Sequence, residues 1–123
     1  MNNKFFVDYY KEERDEIVLQ SDKGFIVYKI YDQAPGSEHR EIMFCELYVA
    51  PEHRRTGEAQ RLTRMAEDIG RKAGCTHASC YIQHKKATEE ERERTTHKMR
   101  IYMKYGFKFH SANESQILLY KDL

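Results

Sequence analysis

The passage from Glu41 to Ile82 constrains the fold more than any other part of this sequence. The run E-I-M-F-C-E-L-Y-V (Glu41–Val49) is β-rich and ends before Pro51, and C-T-H-A-S-C-Y-I (Cys75–Ile82) is a second β-rich run. Between them, after Gly57, apolar residues recur at helical spacing: Ala59, Leu62, Met65, Ala66, Ile69 and Ala73. A strand–helix–strand passage of this length normally makes two parallel neighbours joined by a right-handed crossover. We therefore expect a parallel strand pair covered by a helix, which Gly74 ends.

The segment before this passage predicts a β-hairpin. Ile17–Ser21 and Phe25–Tyr31 are β-rich, and Asp22 and Gly24 supply the turn between them. The stretch A-P-G-S-E-H at residues 34–39 has turn chemistry, and residues 4–14 favour only a short helix or strand.

A second helix and a second hairpin complete the chain. Thr88 and Glu91 have the spacing of a capping box, and Gly106 ends the helix. Gly106–His110 and Ser115–Lys121 then form the final hairpin around a polar turn at residues 112–114. The sequence predicts one α/β (α+β) domain over residues 1–123, with a mixed sheet of about six or seven strands and two main helices. Its element order is a short N-terminal element followed by β-β-β-α-β-α-β-β.

Composition limits the partners of this domain. The 123 residues suffice for one compact domain, and 21 basic against 20 acidic side chains leave a net charge of +1. Since that balance supplies no field to hold nucleic acid or an anionic membrane, any anion must bind at a local site. The N-terminus does not resemble a signal peptide, and no window has the roughly 18 apolar residues of a membrane span. We expect a soluble, cytoplasmic protein.

The cysteines do not predict a disulfide framework or a metal site. Their number is odd, which indicates reduced thiols. Cys75 and Cys80 lie an odd number of residues apart on one predicted strand, so we expect their thiols to face opposite sides and not to share a zinc ion.

The segment L-Y-V-A-P-E-H-R-R-T-G-E-A-Q-R-L (Leu47–Leu62) carries the strongest functional signal. A strand ends, a loop with Arg54, Arg55 and Gly57 follows, and a helix begins. A helix N-terminus presents unpaired N–H groups and the positive end of the helix dipole, which together bind anions. Gly57 lets the backbone approach a ligand without a Cβ in the way. On the loop alone, a surface arginine pair beside a glycine cap is an equally good interpretation.

The surrounding residues resemble the acyl-CoA motif of the GNAT superfamily of N-acetyltransferases. The family signature is Gln or Arg, two residues, Gly, one residue, then Gly or Ala, and Arg54, Gly57 and Ala59 match it. A second signature, an apolar residue and Tyr shortly before Gly-Phe, is matched at the end of the next helix by Ile101, Tyr102, Gly106 and Phe107. The resemblance covers roughly residues 16–123.

This resemblance implies acetyl-CoA as co-substrate and an amine as acceptor. The diphosphate would bind the loop and first helical turn: Arg54, Arg55, Thr56, Gly57, Glu58, Ala59 and Gln60. The pantetheine arm would pair like an extra strand with Leu47, Tyr48 and Val49, where that strand separates from the next. Tyr102 resembles the residue that protonates the departing thiolate, and its ordinary pKa of about 10 is near that of a thiol, about 8.5.

The residue that would accept the proton of the amine is indicated by its position on β3 and by no sequence motif. We expect Phe44, Glu46 and Tyr48 to alternate onto one strand face, which makes Glu46 the nearest acidic candidate to accept the proton of the amine. An exposed or ion-paired strand glutamate is an equally good interpretation. His84, Lys85 and Lys86 follow the second strand as candidates to meet the adenosine phosphate, although a solvated loop explains them as well.

Two departures from the family pattern keep alternatives open. Glu58 stands where the family usually has an aliphatic residue. A carboxylate aimed at a diphosphate would repel it, whereas one that points away would cost no affinity. Only about 15 residues precede the first hairpin, so we expect an open acceptor side suited to a protein or another bulky amine, or one closed by a second subunit. A GNAT-fold binding protein without turnover is the first alternative. A small nucleic-acid- or polymerase-binding module is a more distant one.

Overall fold

The computed structural model describes residues 16–31, 40–83 and 88–123. Predictions for residues 4–14, for the turn at 34–39 and for His84, Lys85 and Lys86 lie outside these ranges. The described elements, in chain order, are β1 (Ile17–Gln20), β2 (Gly24–Tyr31), β3 (Glu41–Val49), a 3₁₀ turn (Pro51–His53), α1 (Glu58–Lys72), β4 (His77–Gln83), α2 (Glu89–Lys104), β5 (Lys108–Ala112) and β6 (Gln116–Asp122).

The strands form one mixed, six-stranded sheet in the order β1-β2-β3-β4-β6-β5. β3 and β4 pair in parallel, and every other neighbouring pair is antiparallel. The α/β class, the parallel central pair and the element order from β1 onward are therefore confirmed. The last turn lies slightly later than predicted, because the Asn113 side chain accepts hydrogen bonds from the amides of Ser115 and Gln116 and bends the chain there.

Both helices pack on one face of this sheet, the helix face. Ile42 and Phe44 of β3 share a buried cluster with Leu62 and Ala66 of α1, and the partly buried Tyr102 of α2 packs against the same cluster. Burying apolar surface of this kind is the main stabilising contribution to such a domain. The apolar stripe predicted for α1 contributes to it, apart from the exposed Met65, whereas α2 adds only the partly buried Met99 and Tyr102 and has no fully buried residue.

The two helices end in the same way, at the two predicted glycines. Gly74 and Gly106 have φ of +88° and +98°, a left-handed conformation that favours glycine. The residue after each glycine donates its N–H back into the last helical turn, Cys75 to the Gly70 carbonyl and Phe107 to the Tyr102 carbonyl. This is the Schellman arrangement. Because Cys75 takes part in ending α1, β4 begins only at His77.

The expectation that Cys75 and Cys80 lie on opposite faces of one strand is wrong for the same reason. Cys75 precedes β4, and both side chains are buried in the cluster on the helix face. All three cysteines are free thiols.

A β-bulge at Cys45 interrupts the alternation of β3. Phe44 lies opposite Tyr28 and Glu46 lies opposite Val27, so one extra residue of β3 stands between them. Phe44 faces the helices, whereas beyond the bulge Leu47 and Val49 turn to that face. The expectation that Phe44, Glu46 and Tyr48 share a face is therefore wrong, since the bulge turns Glu46 and Tyr48 to the opposite face.

The two central strands separate halfway along their length. Their pairing runs from Glu41 with His77 to Phe44 with Cys80 and stops there, although β3 continues to Val49 and β4 to Gln83. The bulge lies at the point of separation. Beyond it the sheet has a gap between its two middle strands, which we call the slot, bounded by residues 45–49 and 81–83.

Neither α1 nor α2 has the length and apolar character needed to cross a membrane.

Candidate functional site

The chain between β3 and α1 presents a run of unpaired backbone donors. After the 3₁₀ turn, the Arg54 amide donates to the Pro51 carbonyl at 3.3 Å, and the next amide that donates is that of Arg61, to the Gly57 carbonyl at 3.0 Å. Within the described parts of the chain, no acceptor takes a hydrogen bond from the amides of residues 55–60. We call residues 55–60 the amide loop.

Two residues of the amide loop have a left-handed backbone conformation. Arg55 has φ of +64° and Gly57 has φ of +88°. No heavy atom lies within 4 Å of the position that a Cβ would take at Gly57, so this residue borders open space. The Thr56 hydroxyl donates to the His53 carbonyl at 2.5 Å, which directs that side chain back into the loop and away from the amides. Six successive donors beside an open glycine can receive an anion with several oxygens.

Two arginines lie at the start of the amide loop, Arg54 just before it and Arg55 as its first residue. Arg54 donates from Nε to the Val49 carbonyl at 2.9 Å, and its guanidinium carbon lies 5.8 Å from the centre of the Tyr48 ring. It thus joins the end of β3 to the loop. Arg55 is exposed and forms no ion pair within the described residues, so its charge is available to an incoming anion.

Glu58 is turned sideways, toward the β1–β2 turn. Its carboxylate is 5% exposed and accepts hydrogen bonds from Ser21 Oγ at 2.5 Å and from Arg61 Nε and Nη2 at 2.8 Å. The bonds from Arg61, and next those from Ser21, lower the pKa of Glu58 to about 2. The carboxylate is therefore ionised at neutral pH, and its charge is offset by Arg61.

The residues predicted to contact the pantetheine arm line one side of the slot. Leu47 and Val49 turn to the helix face, where Val49 is buried. Tyr48 lies on the opposite face with 42% of its surface exposed, stacked on Phe25 at a ring distance of 5.5 Å. Because β4 does not pair with this part of β3, the backbone groups that point into the slot have no strand partner there.

Tyr102 is the third residue from the end of α2, and the Schellman arrangement fixes its ring. The Phe107 ring, directly after Gly106, packs edge-on against the Tyr102 ring with centroids 5.4 Å apart, and it packs at a tilt against the Phe44 ring with centroids 5.7 Å apart. Phe44 is the last residue of β3 that pairs with β4, so the Phe107 ring connects Tyr102 to the point where the strands separate. Within the described parts of the chain its hydroxyl makes no hydrogen bond. Burial raises the pKa of Tyr102, with smaller contributions from Cys80, Tyr105 and Cys45.

Glu46 lies across the sheet from Tyr102. It is exposed on the opposite face and makes no ion pair within the described residues. The two candidate catalytic side chains thus lie on different faces at the same end of the slot.

A groove of about 260 Å³ between α1 and the end of α2 extends the site. Its walls include Gln60, Thr63, Arg64, Glu67, Lys104, Tyr105, Gly106 and Lys121. Arg64 and Lys104 are exposed and form no ion pair with the described residues, whereas Lys121 Nζ donates to Glu67 Oε2 and to the Tyr105 carbonyl, both at 2.9 Å. Arg64 and Lys104 were not predicted from the sequence as site residues. Their approach depends on how the helices pack, although Gln60 and Arg64 are four residues apart on one helix face.

Comparisons with known proteins identify the family and the fold of this chain. The sequence model of the Acetyltransferase (GNAT) domain matches residues 2–109. A sequence comparison with curated proteins finds no match.

Solved structures share the fold at low identity. The PaiA N-acetyltransferase from Thermoplasma acidophilum, in complex with coenzyme A, is 22% identical with a TM-score of 0.62, and the match covers 82% of this chain and 54% of that one. An acetyltransferase from Bacillus subtilis, in complex with CoA, is 17% identical with a TM-score of 0.60, covering 98% of this chain and 84% of that one. The NatC complex bound to Gag peptide and CoA is 20% identical with a TM-score of 0.62, covering 81% and 60%.

The chain therefore spans little more than half the length of the PaiA enzyme. Its match to the family model nevertheless extends over most of its own length, from the N-terminal residues through the amide loop, the slot and the Tyr102 motif. The chain belongs to the GNAT acetyltransferase family.

Proposed function

We propose that this protein transfers an acetyl group from acetyl-CoA to a primary amine. The observation that carries the proposal is the run of unpartnered amides at residues 55–60, placed directly beside the slot between β3 and β4. A diphosphate needs several donors in one place, and a thioester arm needs an extended backbone edge. The protein offers both within one continuous stretch of chain.

The cofactor would be bound mainly by backbone. The diphosphate oxygens would accept from the amides of Arg55, Thr56, Gly57, Glu58, Ala59 and Gln60, helped by the dipole of α1. The pantetheine arm would pair with the free edge of β3 at residues 47–49. Arg64 and Lys104 on the walls of the groove would contact the nucleotide, since cations without protein partners bind phosphate most readily.

The reaction proceeds by direct attack. The amine nitrogen adds its lone pair to the thioester carbonyl carbon, the C–S bond breaks, and its electron pair leaves with sulfur. The nitrogen loses one proton and the thiolate gains one, which gives the N-acetyl product and CoA. A backbone N–H of β3 pointing into the slot would stabilise the developing oxyanion.

Tyr102 is the group we assign to the thiolate. Its hydroxyl is free of protein partners within the described residues, and its raised pKa keeps it protonated. A phenol with a pKa above about 10 donates a hydrogen bond to a thiolate more readily than it gives up its proton. We therefore assign Tyr102 to stabilising the leaving group, with full proton transfer following as the product departs.

The acceptor amine would approach from the opposite face. Glu46 is an acidic side chain at the slot on that face, and the stacked rings of the half-buried Phe25 and the exposed Tyr48 form a wall beside it. We assign to Glu46 the proton that the amine loses, directly or through water. The exposure of this wall favours a bulky or protein-borne amine.

Calorimetric titration with acetyl-CoA, followed by release of CoA thiol in the presence of a panel of amines and peptides, tests the proposal. Saturable binding at 1:1 stoichiometry with amine-dependent thiol release supports it. Binding with no transfer to any amine would instead support the GNAT-fold binding protein. No binding of acetyl-CoA would refute the assignment of the amide loop, and a nucleic-acid complex that weakens steeply with salt would then indicate a binding module.

A further inference from the structure

The Glu58 carboxylate joins two parts of the chain that are 37 residues apart. Its Oε1 accepts from Arg61 Nε, and its Oε2 accepts from both Ser21 Oγ and Arg61 Nη2. The Glu58 side chain is 5% exposed, whereas that of Arg61 is 52% exposed. A buried carboxylate with three donors is held in one orientation, since losing any donor leaves an unsatisfied charge.

Ser21 is itself fixed within the β1–β2 turn. Its hydroxyl oxygen accepts from the amides of Lys23 and Gly24 at 3.1 and 3.2 Å, and its own amide donates to the Gly24 carbonyl at 2.9 Å. The hydroxyl donates to the Glu58 carboxylate at 2.5 Å, a much shorter contact than the 3.4 Å to the Gly24 carbonyl. The turn and the first turn of α1 are therefore connected by well-defined side-chain bonds.

The same turn also holds the chain at the other end of the amide loop. The Ala50 amide donates to the Lys23 carbonyl at 2.9 Å, just after β3 ends. A Cβ at Gly24 would lie 2.1 Å from the Tyr48 carbonyl oxygen, so the turn packs directly on the end of β3. The chain from Ala50 to Glu58, which contains the first part of the amide loop, is thus bonded at both ends to one turn, an arrangement that we call the bracket.

We propose that Glu58 is a positioning residue for the diphosphate: by bonding Ser21 and Arg61 it fixes the first turn of α1 so that the amides of residues 55–60 point outward together. This proposal rests on the proposed function. It opposes the simpler expectation that a carboxylate in this position repels the ligand. The positioning role and the repulsion predict opposite changes in affinity for acetyl-CoA when the Glu58 carboxylate is removed. Removing a repulsive charge would tighten binding, whereas removing the bracket would weaken it.

The variant Glu58→Gln separates these outcomes. Its amide keeps one acceptor oxygen and replaces the other with an NH₂ donor, so at least one of the bonds from Ser21 and Arg61 is lost, which weakens the bracket and removes the charge. We expect the Kd for acetyl-CoA to rise about tenfold, equivalent to about 1.4 kcal/mol. The KM for acetyl-CoA should rise with kcat unchanged, and the kinetics with S-acetylpantetheine, which lacks the diphosphate, should not change.

Two further variants complete the experiment. Asp68→Asn removes one negative charge from the same helix, where the carboxylate is 65% exposed and bonds only Arg71 within the described residues, so the Kd should stay within twofold. Ser21→Ala removes the turn's half of the bracket without changing the charge, and should weaken acetyl-CoA binding in the same direction. If Glu58→Gln does not fold, the Kd of the Ser21→Ala variant for acetyl-CoA tests the proposal in its place.

Failure of the positioning role of Glu58 can be distinguished from failure of the proposed function. If the wild-type protein does not bind acetyl-CoA, the proposed function itself is refuted. If the wild type binds and Glu58→Gln binds equally well or more tightly, the positioning role is overturned and repulsion is supported. An equal loss with acetyl-CoA and S-acetylpantetheine, or a loss in kcat alone, overturns it too, because neither would depend on the diphosphate.

Discussion

Gly57 and Gly74 form a natural matched pair for testing the amide loop. Both have φ of +88°, and at both positions a Cβ would have no heavy atom within 4 Å. Replacing either by alanine therefore creates no clash and imposes the same backbone cost, about 1 kcal/mol for a left-handed alanine. For a domain of this size that corresponds to a Tm lower by about 4 °C in each variant.

Ligand binding should separate the two variants. Only at Gly57 would the added methyl group stand among amides that receive the diphosphate. Hydrogen bonds to charged groups contribute about 1.5–3 kcal/mol each, so losing one corresponds to a Kd for acetyl-CoA higher by roughly tenfold to a hundredfold. Gly74→Ala, at the far end of α1, should leave the Kd unchanged.

Differential scanning calorimetry and isothermal titration of both variants supply the two measurements. Equal losses of affinity in Gly57→Ala and Gly74→Ala would refute the reasoning, since the effect would then follow stability alone. Unchanged affinity in both would remove the diphosphate from this loop. A much larger Tm loss at Gly57 than at Gly74 would show that the two positions are not conformationally equivalent.

Three other predictions address the acid, the packing of α2 and the pH dependence of stability. Tyr102→Phe should lower amine-dependent thiol release at least tenfold with the Kd for acetyl-CoA within twofold; an unchanged rate would remove Tyr102 from the chemistry. Lys121→Met should reduce the free energy of unfolding by about 2–3 kcal/mol in urea, because it removes the close partner of the buried Glu67 carboxylate and the cap on the Tyr105 carbonyl. The control Arg94→Met breaks an exposed pair and should cost no more than about 0.5 kcal/mol; equal costs would contradict the argument. The lowered pKa of Glu58 means that its stabilising contribution is complete above its unfolded pKa of about 4.3 and is lost as the pH falls toward about 2, so acid unfolding of Glu58→Gln should be shallower over that window. Superimposable acid-unfolding curves would refute it.

Local chemistry made most of the fold predictable. The apolar spacing in α1, the Thr88 cap and the glycines at 74 and 106 act within a few residues of themselves, and each stands where it was expected. Thr88 Oγ1 accepts from the Glu91 amide at 3.0 Å, as the capping box requires. The amide loop was predictable for the same reason, since unpaired donors follow from starting a helix after a turn.

The features that the sequence did not predict depend on distant parts of the chain. The bulge at Cys45 arises from the pairing of β3 with β2, and no residue pattern within β3 indicates it. The direction of Glu58 depends on Ser21, which a hairpin brings to it from 37 positions away. The faces on which Glu46 and Tyr48 lie, and the approach of Arg64 to Lys104 across the groove, could likewise not be predicted from spacing alone.

The early end of pairing between β3 and β4 leaves the sheet as two three-stranded halves. Within the described residues, the pairs from Glu41 with His77 to Phe44 with Cys80 and the bond from the Thr76 amide to the Arg40 carbonyl join those halves through the backbone. A ligand arm lying in the slot would pair with the free edge of β3 like an additional strand and would fill the gap between the two halves of the sheet. Amide hydrogen exchange in the second half of β3 should therefore slow on saturation with coenzyme, and exchange in β5, at the far edge, should hardly respond.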